Sequence, residues 1–161
     1  MSTASVRAAV VTVSDRSAAG LREDRSGPLA VAALRGAGFA CADAAIVADG
    51  ADAVESALRE ALASGARVIV TTGGTGVAPR DRTPEGTRRV LERELPGIAE
   101  ELRRRGAAAK PVALLSRGIA GVAGAALIVN LPGSTGGVTD GMPLVVAVAG
   151  HVLDQLDGAD H

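Results

Sequence analysis

Two aspartates stand beside turn-forming segments in this sequence. Asp81 follows the segment TTGGTG by five residues and precedes a helix start at Thr83, and Asp49 ends the segment IVAD. Glycines let backbone amides turn toward an anion, and threonine hydroxyls add donors, so TTGGTG suits a phosphate or a carboxylate. A carboxylate beside a phosphate is repulsive unless a cation intervenes, and Mg²⁺ binds one or two carboxylates together with phosphates. The spacing therefore predicts a metal-assisted phosphate site; the alternative is that each aspartate is a surface turn residue or, for Asp81, pairs with Arg80 or Arg82.

The glycine segment fits neither of the common nucleotide-binding motifs. No GK[ST] follows it, as a P-loop requires, and it lacks the G-x-G-x-x-G pattern of dinucleotide-binding folds. A tight turn after a strand is the structural alternative for such a segment. Neither His151, inside the last predicted helix, nor His161, the final residue, is placed to activate a serine or Cys41. One cysteine and two histidines also make a poor tetrahedral zinc site.

Composition excludes several classes of function. The 17 basic and 18 acidic residues nearly balance, which leaves no electrostatic footprint for nucleic acid. Phe39 is the only aromatic residue, so bases have no platform on which to stack. The segment MSTASVRAAV lacks the apolar stretch and cleavage site typical of a signal peptide, and apolar runs such as 144–149 are far shorter than the roughly 20 residues of a membrane helix. We expect a cytoplasmic protein that binds neither nucleic acid nor membrane.

The elements that would position these aspartates follow from apolar patterning and helix-end signals. Apolar runs predict buried strands at 7–13, 39–47, 68–71 and 126–131. Helices are predicted at 28–37, 52–64, 84–95, 96–105 and 143–156, whereas 14–27 is expected to be a long loop and 112–125 is left unassigned. This alternation predicts an α/β fold with a mostly parallel sheet covered on both faces, formed as one domain by residues 1–161.

Helix starts are predicted from three capping signals. Pro28 suits the first turn of its helix, preceded by Ser26 or Gly27 as the cap. Asp52 and a glutamate three residues later have the spacing of a capping box. Thr83 is expected to cap the helix that begins at a proline.

Four loops follow the four predicted strands. In open parallel sheets, ligands bind in the crevice beyond the carboxyl ends of the strands. These loops begin with Ser14-Asp15-Arg16, Asp49-Gly50, Thr72-Gly73-Gly74-Thr75-Gly76 and Pro132-Gly133-Ser134. We therefore expect all four loops to converge on one rim of the sheet.

Taken together, these motifs carry a family resemblance. The segment TTGGTGVAPRDRTPE, with VTVSDR before it and LSRGIAGVAGAALIVNLPGS after it, resembles the molybdopterin adenylyltransferase family, also called Mog or MoaB. The likeness extends from about Arg7 to Leu156 with similar order and spacing. The resemblance implies a three-layer α/β/α sandwich of the molybdopterin-binding-domain type, assembled as a homotrimer.

The resemblance also implies a reaction and its participants. It implies Mg²⁺- and ATP-dependent transfer of AMP to the phosphate of molybdopterin, with release of pyrophosphate. A molybdenum insertase would then exchange AMP for molybdate. Because a phosphate nucleophile is already ionised, such a transfer needs positioning and charge neutralisation rather than a strong base.

Site residues are carried over from the matching motifs. The resemblance implies that Asp49 and Asp81 are the catalytic residues, and we expect them to bind Mg²⁺. The substrate-binding residues are expected to be Ser14, Asp15, Thr72, Gly73, Gly74, Thr75, Gly76, Ser116, Arg117, Asn130, Pro132, Gly133 and Ser134. We also expect Arg16, Arg80 or Arg117 to screen the charge that develops during transfer.

Two features depart from the family pattern, and two other functions stay open. The chain lacks the insertion that longer members carry after NLPG, and Thr135 stands where short members often have proline. One alternative is a carrier that binds molybdopterin and passes it to the insertase without chemistry. The other is a scaffolding trimer of the same fold.

Overall fold

The computed structural model describes residues 6–160. His161 and the first five residues lie outside this part of the chain, as do the sequence-based expectations that concern them. Within it, seven strands form one sheet. They are β1 (Arg7–Val13), β2 (Ala40–Cys41), β3 (Ala45–Val47), β4 (Val68–Thr72), β5 (Arg93–Glu94), β6 (Ala120–Ala123) and β7 (Ala126–Leu131).

The sheet has a parallel centre and an antiparallel edge. Its strand order is β2-β1-β4-β7-β6-β5, and β3 also pairs with β1. Val10, Val70 and Val129 lie in register across β1, β4 and β7, which run parallel. β6 runs antiparallel to β7, and β5 runs antiparallel to β6. The continuous apolar runs of the three central strands are explained by their burial on both faces.

Helices cover both faces of this sheet. They are α1 (Asp15–Ala18), α2 (Ser26–Gly36), α3 (Ala51–Ala63), α4 (Thr83–Arg88), α5 (Pro96–Ala109) and α6 (Thr135–Leu156), with a 3-10 helix at Pro111–Leu115. Side chains of α2, α5 and α6 pack in the larger apolar core, on one face. Those of α3 pack in the smaller core on the other. The predicted three-layer α/β/α fold with a mostly parallel sheet is confirmed.

The strand predicted at 39–47 is divided into two. Ala8 pairs with Cys41 and Val11 pairs with Ala45, so three steps along β1 match four along the neighbouring segment. The extra residue is a bulge that interrupts the ladder. Apolar patterning alone does not show where such a residue is inserted.

The helix predicted to reach residue 95 ends at Arg88. The chain then forms the edge strand β5, flanked by hydrogen bonds from Glu92 N to Val122 O and from Leu95 N to Ala120 O. The unassigned segment 112–125 supplies β6, the partner of that strand. This antiparallel edge was missed because its strands have only two and four residues.

Helix α6 begins at Thr135 rather than at Pro143, which lies inside it. The helix has 22 residues, and its most apolar stretch of 18 residues has a mean hydropathy of 1.3. By length and composition alone this is enough to cross a membrane. However, Val138, Val145 and Leu153 are completely buried in the larger core. Packing against the sheet therefore accounts for the apolar residues on the buried face of this helix, whose first two turns the prediction of 143–156 left out.

Several predicted helix ends are wrong. The long loop predicted at 14–27 contains α1, and α2 begins at Ser26, two residues before Pro28. The N-cap of α3 is Gly50, which has no side chain to accept a hydrogen bond, so Asp52 lies inside the first turn and no capping box forms. The carboxylates of Asp52 and Glu55 bind Arg89 instead.

Thr83 is likewise not a cap but the first residue of α4. Its Oγ1 donates a hydrogen bond of 2.8 Å to Gly73 O, so the side chain ties α4 to the preceding loop. The backbone adds a second tie, from Thr83 N to Gly74 O at 3.0 Å. The threonine predicted as a cap therefore anchors the glycine-rich segment.

Candidate functional site

The four loops predicted to converge meet at the carboxyl end of the parallel strands. Asp15, after β1, and Asp49, after β3, exchange hydrogen bonds: Asp15 N donates to Asp49 Oδ2 at 3.0 Å and Asp49 N donates to Asp15 Oδ1 at 3.1 Å. The loops after β4 and β7 approach so closely that a Cβ on Gly133 would lie 3.2 Å from Gly73 Cα. We call this convergence the rim.

The centre of the rim is the glycine loop, residues 73–82. Gly73 and Gly74 have φ values of +91° and +68°, in the left-handed region that favours glycine. A Cβ on Gly74 would lie 2.2 Å from Thr83 Oγ1, and one on Gly73 would lie 2.3 Å from Val13 O. Both conformation and space therefore require glycine at these two positions.

The two predicted catalytic carboxylates lie against two glycines of this loop, on either side of Thr75. A Cβ on Gly74 would be 3.3 Å from Asp49 Oδ1, and one on Gly76 would be 2.9 Å from Asp81 Oδ2. Asp81 Oδ2 also accepts a hydrogen bond from Ala78 N at 3.1 Å. Residues 32 positions apart in the sequence thus flank one backbone segment.

The pKa shifts show where negative charge is least compensated. Burial raises the pKa of Asp49, and the charges of Asp15 and Asp81 raise it further, against hydrogen bonding to Asp15 and the charge of Arg80. The pKa of Asp15 is lowered, chiefly by its hydrogen bonds to Arg80. Arg80 Nη2 donates to Asp15 Oδ1 at 2.9 Å and to the carbonyl of Asp49 at 3.0 Å. Arg80 therefore forms its ion pair with Asp15, and among the described residues the negative charge of the Asp49 carboxylate has no cationic side chain of its own bound to it.

These groups fit Mg²⁺. Their carboxylate oxygens are hard donors, and the raised pKa of Asp49 marks a position that a cation would stabilise. Among residues 6–160, no group of three or more His, Cys, Asp or Glu side chains is arranged to hold a metal. Two carboxylates, completed by substrate phosphates and water, suit Mg²⁺, which seldom relies on an all-protein cage.

Arg117 lies beneath the glycine loop. Its Nε donates to Gly76 O at 2.8 Å, and its Nη2 donates to Asp81 O at 2.8 Å. Nη1 and Nη2 also bind the carboxylate of Glu85, in α4, at 2.7 and 3.2 Å. Four of the five N–H groups of this guanidinium are therefore bound within the protein.

Several other predicted substrate-binding side chains also have partners within the protein. Ser14 Oγ caps α1 and Ser134 Oγ caps α6, by accepting from Ser17 N and Gly137 N. Each hydroxyl keeps its proton to donate to a ligand. Thr72 Oγ1 lies 3.1 Å from Ser26 Oγ, and both side chains are buried.

Asn130 is 3% exposed and fully hydrogen-bonded. Its Oδ1 accepts from Ile119 N at 3.1 Å, and its Nδ2 donates to Thr71 Oγ1 and Thr87 Oγ1 at 3.0 Å each. The side chain thereby links β7 to β4 and α4. Ser116 Oγ accepts from Gly118 N at 3.3 Å, at the turn that leads into β6.

A cleft of about 390 Å³ opens from the rim between α5, the 3-10 helix and the start of α6. Its lining includes six of the predicted substrate-binding residues, namely Thr75, Gly76, Ser116, Asn130, Pro132 and Ser134. Sequence reasoning missed its remaining walls, which include Leu102, Arg103, Gly106, Val112, Leu115 and Gly136. A glycine in or next to a helical segment was the available signal, because such a glycine can mark a close approach of another segment. A Cβ on Gly106 would lie 2.8 Å from Ala113 Cβ, in the 3-10 helix.

Comparison with known proteins gives one family. The family described as "Probable molybdopterin binding domain" matches residues 9–151. The chain is 40% identical over 158 residues to a molybdenum cofactor biosynthesis bifunctional protein of Synechococcus elongatus, covering 98% of this chain and 50% of that protein. It is 35% identical over 155 residues to a molybdopterin adenylyltransferase of Haemophilus influenzae, covering 94% and 78%.

A solved structure agrees with these sequence matches. The molybdopterin biosynthesis Mog protein of Mycobacterium ulcerans superposes with a TM-score of 0.89 at 43% identity, covering 94% of this chain and 99% of that one. The chain spans about half the length of two of the curated relatives that it matches, both bifunctional proteins.

Proposed function

The chain belongs to the family of molybdopterin-binding domains, and on that premise we propose that it adenylylates molybdopterin at the expense of Mg²⁺-ATP. The observation that carries this proposal is the seating of two carboxylates, Asp49 and Asp81, against Gly74 and Gly76. Relatives at 35–36% identity over most of the chain are named molybdopterin adenylyltransferase.

The proposed reaction exchanges one phosphoanhydride bond for another. A phosphate oxygen of molybdopterin attacks the α-phosphorus of ATP, the bond from that phosphorus to the bridging oxygen breaks, and pyrophosphate leaves with the electron pair. The product is adenylyl-molybdopterin. When bound, Mg²⁺ neutralises triphosphate charge and makes pyrophosphate a better leaving group.

The residues of this chain would contribute positioning and electrostatics. Asp49 and Asp81 would hold the cation at the glycine loop, whose left-handed residues Gly73 and Gly74 leave the backbone open to a phosphate. Arg80, with two-thirds of its side chain exposed, neutralises Asp15 at the same rim. None of these groups needs to remove a proton, which agrees with the absence of a histidine or lysine from the predicted site residues.

The cleft is proposed to hold the pterin. Its volume is within the range of roughly 300–1,000 Å³ that is typical of small-molecule sites. Apolar side chains of Leu102, Val112 and Leu115 would contact the faces of the ring system, and Arg103 and Lys110 add positive charge. Since Gly76 and Ser134 belong to both the cleft and the rim, a ligand in the cleft could present its phosphate to the glycine loop.

The direct test is product formation. Purified protein is incubated with molybdopterin and Mg²⁺-ATP, and adenylyl-molybdopterin and pyrophosphate are quantified by chromatography. We expect both products from the wild type and from Asp43→Ala, a control whose carboxylate lies on the surface beside Arg35. We expect neither from folded Asp49→Ala or Asp81→Ala.

Other outcomes would select another function. Molybdopterin that binds tightly without product would indicate the carrier, and a protein that binds neither substrate would indicate the scaffold. A folded Asp81→Ala variant with full turnover would contradict the assigned role of that carboxylate.

Assembly, partner and compartment are proposed from the family resemblance. We propose a cytoplasmic homotrimer that passes adenylyl-molybdopterin to a molybdenum insertase. Sedimentation at several protein concentrations tests the trimer, and transfer of the adenylylated product to a purified insertase tests the partner.

A further inference from the structure

Apart from the Arg80 side chain, which binds Asp15 and the carbonyl of Asp49, the segment of the glycine loop that carries Asp81 has few attachments of its own. Asp81 and Ala78 bind each other twice, through Asp81 N to Ala78 O and Ala78 N to Asp81 Oδ2. These local bonds shape the turn but do not fix it relative to the rest of the molecule. Thr83, which follows the loop, closes it by hydrogen bonds to the carbonyls of Gly73 and Gly74 at its start.

Arg117 attaches the backbone of this segment to the rest of the fold. Its guanidinium binds the carbonyls of Gly76 and Asp81, the two residues between which the turn is formed. The same guanidinium is held by Glu85, and Arg117 N donates to Thr75 O at 2.7 Å. The contact between Gly76 and the Asp81 carboxylate is therefore closed by a side chain that lies 36 residues away in the sequence.

We propose that Arg117 is a positioning residue, which sets the rate of adenylyl transfer by fixing Gly76 and Asp81 relative to each other. The inference deepens the proposed function and rests on it. It differs from the expectation that Arg117 screens charge on the substrate, and it is favoured by the internal bonds that four of the five N–H groups make.

The geometry requires arginine at this position. A planar guanidinium donates in several fixed directions at once, whereas a lysine ammonium is a compact charge that cannot span two carbonyls and a carboxylate with the same geometry. In Arg117→Lys the charge stays and the bracing is lost. Displacements of about 1 Å at a reacting centre can cost about a hundredfold in rate, so we expect a fall in kcat of that order with little change in KM for molybdopterin.

A matched control lies at the opposite end of the sheet. Arg67 binds both carboxylate oxygens of Asp157 at 2.8 and 3.1 Å, and its Nε donates to Ala125 O at 2.8 Å. Arg67→Lys therefore removes the same kinds of bond as Arg117→Lys. If both arginines serve stability alone, the two variants should behave alike.

The experiment compares the wild type with these two variants. Urea midpoints measure stability, steady-state rates give kcat and KM, and hydrogen exchange reports on the amides of Ala78 and Asp81. We expect both variants to lose stability, but only Arg117→Lys to lose kcat and to exchange these amides faster. Wild-type kcat in folded Arg117→Lys, or an equal loss of kcat in Arg67→Lys, would overturn the proposal.

Glu85→Gln keeps the bonds from Arg117 to the two carbonyls and weakens only its anchor in α4. We expect this variant to lose less kcat than Arg117→Lys, and a greater loss would contradict the bracing role. If the wild type makes no adenylyl-molybdopterin, the proposed function fails while the exchange measurement still decides the bracing. Unchanged exchange in Arg117→Lys would then overturn it.

Discussion

Arg67 and Arg117 brace opposite ends of the central strands with the same kinds of bond. Each arginine binds both oxygens of one carboxylate and at least one backbone carbonyl. Arg67 joins elements that the apolar cores already fix, namely the turn before β7 and the end of α6. Arg117 instead joins α4 to a loop whose residues 76–82 belong to no helix or strand. The same chemistry can therefore add stability at one end of the sheet and align reacting groups at the other.

The largest expected effect comes from the carboxylates at the two ends. Asp49→Asn keeps the shape of the side chain but removes the charge that would hold Mg²⁺, so we expect turnover to fall by about 10²–10³-fold. Asp157→Asn removes the charge of the Arg67 pair, and should cost about 1 kcal/mol or less without changing turnover. Turnover assays and urea unfolding of both variants test this contrast, and a loss of turnover in Asp157→Asn would break it.

The effects of these two substitutions on stability should have opposite signs. The raised pKa of Asp49 means that, between its usual value and the raised one, the folded protein holds more protons than the unfolded chain. Stability contributed by this group therefore falls as the pH rises through that window. At neutral pH the ionised carboxylate costs stability, so Asp49→Asn should raise the urea midpoint of the ligand-free protein. We therefore expect the urea midpoint of the wild type, relative to that of Asp49→Asn, to be lower at pH 7 than at pH 4.

A smaller contrast is expected between two left-handed glycines. Gly74→Ala places a methyl group against Thr83 and Asp49, which should cost about 1–3 kcal/mol and lower turnover about a hundredfold. Gly124→Ala, in the turn between β6 and β7 at the other end, meets open space at a φ of +56° and should cost about 1 kcal/mol. Steady-state rates and urea midpoints test the pair. Full turnover in Gly74→Ala would show that the glycine loop is not part of the site.

The smallest contrast uses two glycines of α6. Gly136 lines the cleft and Gly150 does not, and a Cβ at either position meets open space. Gly136→Leu should raise KM for molybdopterin about tenfold by filling the cleft, whereas Gly150→Leu should leave it unchanged. Both variants should keep or gain stability, because leucine favours a helix more than glycine does. Equal KM values would place the pterin elsewhere.

The parts of the fold that could be predicted are those encoded locally. The run RAAVVTV is apolar over most of its length because β1 beyond its first residue is buried on both faces, and its bounds, Arg7–Val13, agree with the prediction. Short edge strands such as β5, with two residues, leave no comparable pattern. Pro143 was a misleading signal, since a proline that usually starts a helix here lies within one.

The candidate site was likewise predicted only where local spacing encodes it. Spacing placed Asp49, Asp81 and the glycine loop at one rim, because the carboxyl ends of parallel strands meet. Spacing could not show that Arg80 pairs with Asp15 rather than with Asp81, or that Arg117 reaches Glu85 across 32 residues. Such partners depend on the packing of helices on the sheet, which no local pattern encodes.

The position of α6 in the chain has a consequence for biosynthesis. This helix follows every strand in sequence, yet Val138, Met142, Val145, Ala149 and Leu153 belong to the larger core. During translation the sheet surface that these side chains cover stays bare until residue 156 has left the ribosome. Because exposed apolar surface makes partly folded chains prone to aggregation, the stage before α6 emerges is the one at which a chaperone would matter most for this domain.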